Sequence, residues 1–502
     1  MTVDGDDEGE VDGPVETGAP REDGTGGQVT VELEISQWKY LSGETSDPQM
    51  HAILSVRVDG TEGGGGPGPV LAQVLAVDCS SSMTWPPEKL HAAQQAAVAA
   101  IRKLPDGTPF AVVRGSDAAT MAYPDVPGMA RADARTRAEA ERAVLRLVAG
   151  GGTCIGAWLD LARRLLTEQG APIGHVLLLT DGKNVNDDRM PLAGVLDACA
   201  GRFVCDAWGI GDGWDGHELL RITRRLHGSA SSVREEAALP GEYQKLMDRL
   251  LTKSVPELAI SVRTMAGSAV RYLKQVFPTE VELAPEGDTQ RFVTRAWGDE
   301  TRRYQLCLSA DPAGRPRGED LQLAVVTVDV PGDQVRLPPA QPCVVHWTDN
   351  PALSRQTDPQ VEHFEAHQRL GEAVAAATDA HRRKERDLAE HHLGRAVQLA
   401  RAMRAEEHLN RLARLVEIED AQTGRVRLRA DVQAVDFQHL ITASSHSTYG
   451  PASGTGTGSA AGAAAGAAGQ GTATVPCPAC SKQAPAAARF CPYCGHSFRE
   501  PS

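Results

Sequence analysis

The sequence predicts an α/β domain whose parallel sheet is flanked by helices, inserted into a β-sandwich and followed by a helical hairpin and a small metal-binding segment. Two apolar runs, residues 73–77 and 176–179, are followed closely by Asp78 and Asp181. Such runs are typical of strands that are covered on both faces. Helical spacing recurs between them, as the crossover connections of a parallel sheet require. After Lys253 the apolar period changes to two, which indicates a separate β-region.

The composition narrows the class of protein. The chain has 502 residues, enough for several domains, and only 4% of them are aromatic, so the cores must be aliphatic. A formal net charge of −15 disfavours general nucleic-acid binding, which needs a basic face. We find no apolar run of transmembrane length and no secretory leader, so we predict a cytoplasmic protein with reduced thiols.

The strands before Gly60 bear on the domain order. Val29, Val31 and Leu33 alternate with polar residues, but a ribbon of two strands is marginal alone. We therefore expect these strands to pair with the sheet that follows Leu258, with the α/β domain inserted between them. The expected divisions are a disordered acidic tail (1–28), sandwich strands (29–60), the α/β domain (69–253), the sandwich (257–348), a helical region (353–442, with helical spacing over 360–418), a flexible Gly/Ala/Ser linker (443–475) and a metal-binding segment (476–498).

Oxygen-bearing side chains follow the predicted strands. Asp78, Ser80 and Ser82 stand at alternate positions directly after the first buried strand, and Asp181 follows the second. A glycine-rich turn between them carries Thr153. Carboxylate and hydroxyl oxygens suit a hard cation, and ligand sites of open α/β sheets lie at the carboxyl ends of strands. The sequence therefore predicts a cation site at this edge.

The three stretches, in this order, resemble the von Willebrand factor A (vWA) domain with its metal-ion-dependent adhesion site (MIDAS). The resemblance implies a Rossmann-like fold over residues 69–253. It also implies that Ser80, Ser82 and Thr153 bind Mg²⁺ (or Mn²⁺ or Ca²⁺) directly, with Asp78 and Asp181 in outer positions. Neutral hydroxyl ligands leave the ion its charge and one open coordination place, which an Asp or Glu of a protein partner would complete.

Three other interpretations of these residues were weighed. A serine nucleophile lacks the G-x-S-x-G turn and a neighbouring histidine base, and an Asp78–Asp181 acid/base pair for phosphoryl chemistry has only Lys183 beside it. A purely structural cation stays open. We predict that the chain is not an enzyme. Cys79 and Cys154 are expected as buried filling, with a redox role left open, and Trp85 and Trp214 either as exposed anchors at the site or as buried side chains.

A second metal site is predicted near the end of the sequence. Two C-x-x-C pairs ten residues apart resemble a short zinc ribbon and suit tetrahedral Zn²⁺, with the ligands Cys477, Cys480, Cys491 and Cys494. Four histidines of the helical region lack an acidic ligand set at fixed spacing, so they are expected on a solvated helix face: His363, His367, His391 and His392.

The whole arrangement resembles bacterial cytoplasmic vWA proteins with a C-terminal zinc ribbon. Such proteins are often associated with serine/threonine kinases, phosphatases or MoxR-type ATPases, so these are the partner classes that the resemblance implies. The leading hypothesis is a metal-dependent protein–protein interaction scaffold in bacterial signalling or stress response, with no membrane partner. The alternatives are an accessory subunit of a MoxR-type ATPase or chelatase, and a nucleic-acid-associated factor acting through the ribbon.

Overall fold

The computed structural model describes residues 28–61, 71–233, 235–332, 335–447, 474–476, 478 and 483–485. The expected acidic tail, the glycine-rich stretch 62–68, most of the expected linker and all four ribbon cysteines lie outside these residues. Within them, no helix combines the length and apolar character needed to cross a bilayer.

Three strands open the chain, and they form part of the sandwich. They are β1 (Val29–Gln37), β2 (Tyr40–Ser42) and β3 (Gln49–Asp59). In β1 the buried Val31 and Leu33 alternate with the exposed Glu32 and Glu34, the pattern of a strand with one face in a core.

The next segment is the α/β domain. Its strands are β4 (Leu71–Asp78), β5 (Pro109–Gly115), β6 (Ala119–Tyr123), β7 (Ala130–Arg131), β8 (Ile173–Thr180), β9 (Val204–Gly209) and β10 (Ala230–Ser232). Its helices are α1 (Glu88–Lys103), α2 (Ala134–Leu145), α3 (Ile155–Gln169), α4 (Leu192–Cys199), α5 (Gly216–Arg225) and α6 (Leu239–Leu251).

The sheet of this domain has the strand order β10-β9-β8-β4-β5-β6, and β7 also pairs with β5. The prediction of a parallel sheet flanked by helices is correct for five strands, but β6 and β7 run antiparallel to β5, so the sheet is mixed. All eight residues of β4 are buried. Val74 and Ala76 pack towards α3, α4 and α5, whereas Leu75 and Val77 pack towards α1 and α6.

The sandwich resumes after α6. Its later strands are β11 (Val255–Thr264), β12 (Ser268–Phe277), β13 (Val281–Leu283), β14 (Arg291–Trp297), β15 (Glu300–Ala310), β16 (Asp320–Asp329), β17 (Val335–Arg336) and β18 (Gln341–Thr348). One sheet has the order β13-β12-β15-β3-β1-β17 and the other β14-β11-β16-β18-β2. Because β3 pairs antiparallel with β15 from Val58↔Glu300 to Gln49↔Ser309, the predicted insertion of the α/β domain into a sandwich is confirmed.

Helices follow the sandwich, as predicted, but they form more than a hairpin. The elements are α7 (Pro351–Ser354), α8 (Pro359–Arg382), α9 (Arg386–Ala402), α10 (Glu406–Leu415), β19 (Val416–Asp420), β20 (Arg425–Leu428) and α11 (Ala434–Ser444). The hairpin is α8–α9, and α10 and α11 extend it. The prediction of helix up to residue 418 is wrong at its end, where β19 pairs with β20. Two short strands, β21 (Thr474–Pro476) and β22 (Gln483–Pro485), pair antiparallel near the end of the chain.

The C-terminal helices share a core with the α/β domain. Phe437 and Ile441 of α11 belong to the same buried cluster as Trp214 and Leu219. Gly216 N donates to Gln438 Oε1 at 2.6 Å. On the other side, Phe364 of α8 packs with Ile53 of the sandwich. The helical region therefore joins both domains.

Two sequence expectations fail at this junction. The flexible linker was expected from residue 443, but Ser444 closes α11, Ser445 is buried and His446 Nε2 lies 2.9 Å from Ala230 O. His363 and His367 were expected on a solvated face, yet His367 is buried and His363 is half-buried. Local composition resembles a tether and a polar face there, but tertiary packing decides the burial.

Candidate functional site

Three loops meet at the carboxyl edge of the α/β sheet. Loop 1 (79–87) follows β4, loop 2 (146–154) precedes α3, and loop 3 (181–191) follows β8. Backbone hydrogen bonds tie loop 1 to loop 2, from Ser81 N to Gly151 O at 2.9 Å and from Gly150 N to Cys79 O at 2.7 Å. Loop 3 is tied to loop 2 by Asn186 N, which donates to Thr153 O at 3.0 Å. The side chains on these loops are therefore held in a fixed arrangement.

The predicted site oxygens converge around Gly182. A Cβ atom built there would lie 3.3 Å from Ser82 Oγ, 3.4 Å from Thr153 Oγ1 and 3.9 Å from Asp78 Oδ2. Each of these oxygens comes from a different segment, and glycine leaves the space between them free. The structure thus brings Asp78, Ser82, Thr153 and the neighbouring Asp181 to one place. Ser80 joins them, since its Oγ lies 2.9 Å from Ser82 Oγ.

Asp78 forms the floor of the site. Its Oδ1 accepts a hydrogen bond from Ser80 N at 2.7 Å and its Oδ2 accepts one from Thr180 Oγ1 at 2.6 Å. Complete burial raises the pKa of the Asp78 carboxyl to about 6, although the hydrogen bonds from Ser80 and Thr180 work in the opposite direction. With both oxygens already engaged, Asp78 is arranged to orient its neighbours, which agrees with the outer position expected for it.

Asp181 has a cationic neighbour. Its Oδ1 accepts from Ser82 Oγ at 2.6 Å, and its Oδ2 lies 3.2 Å from the ammonium of Lys89, which also reaches Asp212 Oδ1 at 3.3 Å. Burial alone lowers the pKa of the Lys89 ammonium, but Asp181 and Asp212 outweigh burial, so the pKa lies above its usual value. Gly211 has φ +66, and a Cβ there would lie 2.5 Å from Lys89 Cε, so this backbone makes room for the lysine.

The donor set fits a hard cation. Three hydroxyls and two carboxylates surround the point beside Gly182, and hard divalent ions prefer such oxygen ligands. Asp78, Ser80, Thr153 and Asp181 are buried, whereas Ser82 is exposed, so the site opens to solvent on the Ser82 side. The buried Asn186 Oδ1, beside Gly152, accepts no hydrogen bond from the described residues and is a further acceptor near Thr153. The described residues contain no cluster of three or more His, Cys, Asp or Glu side chains suited to a metal, so any ion here would depend on the hydroxyls.

The two cysteines beside the site are buried. Cys79 and Cys154 have no exposed surface, and burial raises the pKa of the Cys79 thiol to about 12. The two tryptophans differ, since Trp85 is 79% exposed on loop 1 and Trp214 is buried under α11.

Sequence reasoning missed three polar residues of the site: Thr180, Lys89 and Asn186. A signal for Lys89 was present, because a lysine in the first turn of a helix opposes the helix dipole and needs a compensating negative charge. Thr180 and Asn186 carry no comparable signal, since Thr and Asn are common at strand ends and in loops.

The fold and the loop cluster define a Rossmann-like α/β binding domain with an oxygen-lined site at the carboxyl edge of its sheet. Comparison with protein families agrees, because residues 72–232 match the von Willebrand factor type A domain and residues 398–444 match the von Willebrand factor type A C-terminal domain. The chain belongs to the von Willebrand factor type A family. The second match runs from within α9 to α11, the part that packs on the α/β domain.

Solved structures give the same result. The chain is similar to a von Willebrand factor type A protein from Catenulispora acidiphila, with 30% identity and a TM-score of 0.75 over 85% of this chain and 99% of that one. It also shares its fold with the ArnB paralog VWA2 from Sulfolobus acidocaldarius, at 13% identity and a TM-score of 0.51, over 83% of this chain and 98% of that one. No curated protein matches the chain.

Proposed function

We propose that this protein is a metal-dependent protein–protein interaction scaffold that binds an acidic residue of its partner through the loop cluster. The convergence of Ser82, Thr153 and Asp78 oxygens on the space beside Gly182, open on the Ser82 side, supports this proposal most directly. Domains of this family commonly mediate protein–protein interaction, which is consistent with it.

In this proposal Ser80, Ser82 and Thr153 hold Mg²⁺ (or Mn²⁺ or Ca²⁺), and Asp78 and Asp181 orient the hydroxyls from outer positions. A bound ion of this kind supplies a positive charge and an open coordination place for an external carboxylate. The chain's own residues fix the hydroxyls through the loop hydrogen bonds and keep Asp78 away from solvent. An acidic protein of net charge −15 gains in this way a local site for an acidic ligand.

The site is tested by measuring Mn²⁺ affinity calorimetrically. Thr153→Ala removes one hydroxyl, but its backbone carbonyl still accepts from Asn186 N, so the loops stay tied. We expect Mn²⁺ affinity to fall by about 10- to 100-fold without loss of folding. Thr167→Ala, on the exposed face of α3, is the matched control and leaves the affinity unchanged. Equal affinities of the two variants would refute the metal site.

The C-terminal segment is proposed to hold Zn²⁺ through Cys477, Cys480, Cys491 and Cys494. Four thiolates in two C-x-x-C pairs supply a closed tetrahedral shell. We expect one equivalent of zinc per full chain by elemental analysis, and loss of that equivalent in Cys477→Ser. A metal-to-protein ratio near zero after expression in zinc-supplemented medium would contradict this.

We further propose that the protein is not an enzyme and acts in the cytoplasm. Ser80 and Ser82 bond to each other and Ser82 donates to Asp181, so no histidine base engages them among the residues that the structure describes. Serine/threonine kinases, phosphatases and MoxR-type ATPases are proposed as partner classes from the resemblance of the sequence.

A further inference from the structure

Each of the three site loops carries one strongly exposed large apolar side chain. Trp85 on loop 1 is 79% exposed, Val148 on loop 2 is 71% exposed and Val185 on loop 3 is 68% exposed. These are the three most exposed large apolar side chains of the residues that the structure describes. We call Trp85, Val148 and Val185 the apolar rim.

The rim residues stay close to the site because the chain between them is short. Trp85 follows Ser82 by three residues, Val148 precedes the hydrogen-bonded Gly150 by two, and Val185 adjoins Asn186. Three residues span at most about 11 Å, so each rim side chain lies within one short segment of a site residue or of a loop tie. Large apolar side chains gathered around a polar site mark an interaction surface, whereas single scattered ones do not.

Charge around the rim restricts what can cover it. Glu88, Asp188 and Asp212 are exposed on or near the same loops. They would repel an anionic membrane surface and also a run of acidic residues. A single carboxylate, aimed at the cation beside Gly182, is compatible with these charges when its neighbours are uncharged.

We propose that the adhesion face recognises a protein segment with one Asp or Glu flanked on both sides by apolar side chains, which pack on Trp85, Val148 and Val185. This inference rests on the proposed function, because the carboxylate needs the metal site. It adds the chemistry of the partner, which the metal site alone leaves open.

The test uses immobilised nine-residue peptide pools with the full chain and Mn²⁺. Three pools have a central Asp flanked by Val/Leu, by Gly/Ser or by Asp/Glu, and a fourth has a central Asn flanked by Val/Leu. We expect the Val/Leu-flanked Asp pool to retain at least about tenfold more protein than any other. If it binds no better than the Gly/Ser or Asp/Glu pools, the inference is overturned.

Rim variants then locate the contact. Trp85→Ser, Val148→Ser and Val185→Ser should each weaken binding of the best peptide by about three- to tenfold, with Mn²⁺ affinity unchanged. Val126→Ser is the matched control, because Val126 is 66% exposed but follows β6, whose antiparallel course ends at the opposite edge of the sheet. Equal binding by rim and control variants, or loss of Mn²⁺ binding in a rim variant, overturns the inference.

The failure of the proposed function looks different. Peptide binding that persists in EDTA and in Thr153→Ala would overturn the metal-dependent scaffold itself. Binding that needs Mn²⁺ and the central Asp, yet is indifferent to the rim, overturns the apolar recognition alone. Absence of peptide capture by every pool, with Mn²⁺ still bound, also overturns the inference and leaves the metal site standing.

Discussion

Lys89 places a fixed positive charge against the carboxylate that a cation would need. Its side chain is 8% exposed and Asp181 is fully buried, so the pair is weakly screened by solvent. The ammonium neutralises part of the negative charge of the site in the absence of metal. Cation binding at this site therefore competes electrostatically with a group that the protein itself provides.

Replacing Lys89 by Met should have two opposite effects. Mn²⁺ affinity should rise by about tenfold or more, because the site regains a full negative charge. The metal-free protein should lose about 3 kcal/mol of unfolding free energy, because Asp181 is left buried without its partner. Titration calorimetry measures the first effect, and urea unfolding in EDTA measures the second. Lys183→Met, on the exposed part of loop 3, serves as the control, and a Lys89→Met affinity equal to it would refute the competition.

At the residue scale, the sequence predicted the oxygens of the site but not their counter-charge. Asp78, Ser80, Ser82, Thr153 and Asp181 stand in motifs tied to strand ends, so strand prediction alone places them together. Lys89 reaches the site from α1 through a gap made by Gly211, a contact that depends on tertiary geometry. Thr180 adjoins Asp181 in sequence, but its bond to Asp78 crosses from β8 to β4.

Among the elements, α8 and α10 enclose an unusual group of imidazoles. His408 of α10 is buried, and neither ring nitrogen has a hydrogen-bond partner among the described residues. The ring of His367 on α8 lies 5.5 Å away, and His367 Nε2 is 3.2 Å from His446 O. Burial, with the nearby His367, Arg411, His446 and His363, lowers the pKa of His408 to about 3. His408 is therefore neutral in the native protein at pH 7.

This arrangement predicts acid-sensitive packing of α10. An unfolded histidine has a pKa near 6.5, so below that pH the unfolded state binds a proton that native His408 does not bind. Stability is therefore intact above pH 6.5 and lost progressively as the pH falls towards 3. For His408 alone the loss at pH 5 is about 2 kcal/mol. Urea unfolding at pH 7.5 and pH 5 measures it.

A pair of variants separates His408 from other titrating groups. His408→Leu should reduce the stability difference between pH 7.5 and pH 5 by about 2 kcal/mol, because leucine cannot bind a proton. His391→Leu, on the exposed face of α9, should leave that difference unchanged. The same pH dependence in both variants would assign the acid sensitivity elsewhere.

Element prediction succeeded where one period dominated a long segment. The strands and helices of the α/β domain and the alternating strands of the sandwich follow directly from the sequence pattern. The strand β19 was missed because Val416 and Ile418 also continue the helical spacing of α10, and a five-residue segment fits both periods. Ser444 and Ser445 resemble the start of a tether, and only packing against Ala230 and its neighbours shows otherwise.

On the scale of the whole molecule, the inserted α/β domain divides the sandwich into two parts. Asp299 Oδ1 accepts from Thr61 N at 2.8 Å and from Thr61 Oγ1 at 2.6 Å, which fixes the two chain segments where they pass each other. The central strand β3 is buried at Met50, Ile53, Leu54, Val56 and Val58. The second part of the sandwich therefore depends on strands that precede the α/β domain.

A chain that starts at Gly68 tests this dependence. It lacks β1, β2 and β3, so β15 loses its ten paired residues on one side and the core loses the buried face of β3. We expect the amides of β12 and β15 to lose protection in hydrogen exchange, whereas those of β4 and β8 stay protected by their own sheet. Full protection of β15 in the shortened chain would show that the sandwich is independent of its first strands.

The separation of β3 from β15 also has a consequence for biosynthesis. Asp59 and Glu300 are about 240 residues apart, and a ribosome adds about 5–20 residues per second, so β3 waits roughly 10–50 s for its partner strand. The α/β domain emerges complete within that interval and can fold first around its own parallel strands. The nascent polypeptide meanwhile presents β1 and β3 with an unpaired, strongly apolar edge, which is the kind of surface that chaperones shield. The order of synthesis thus makes the adhesion domain the first part to mature and the sandwich the step that closes the molecule.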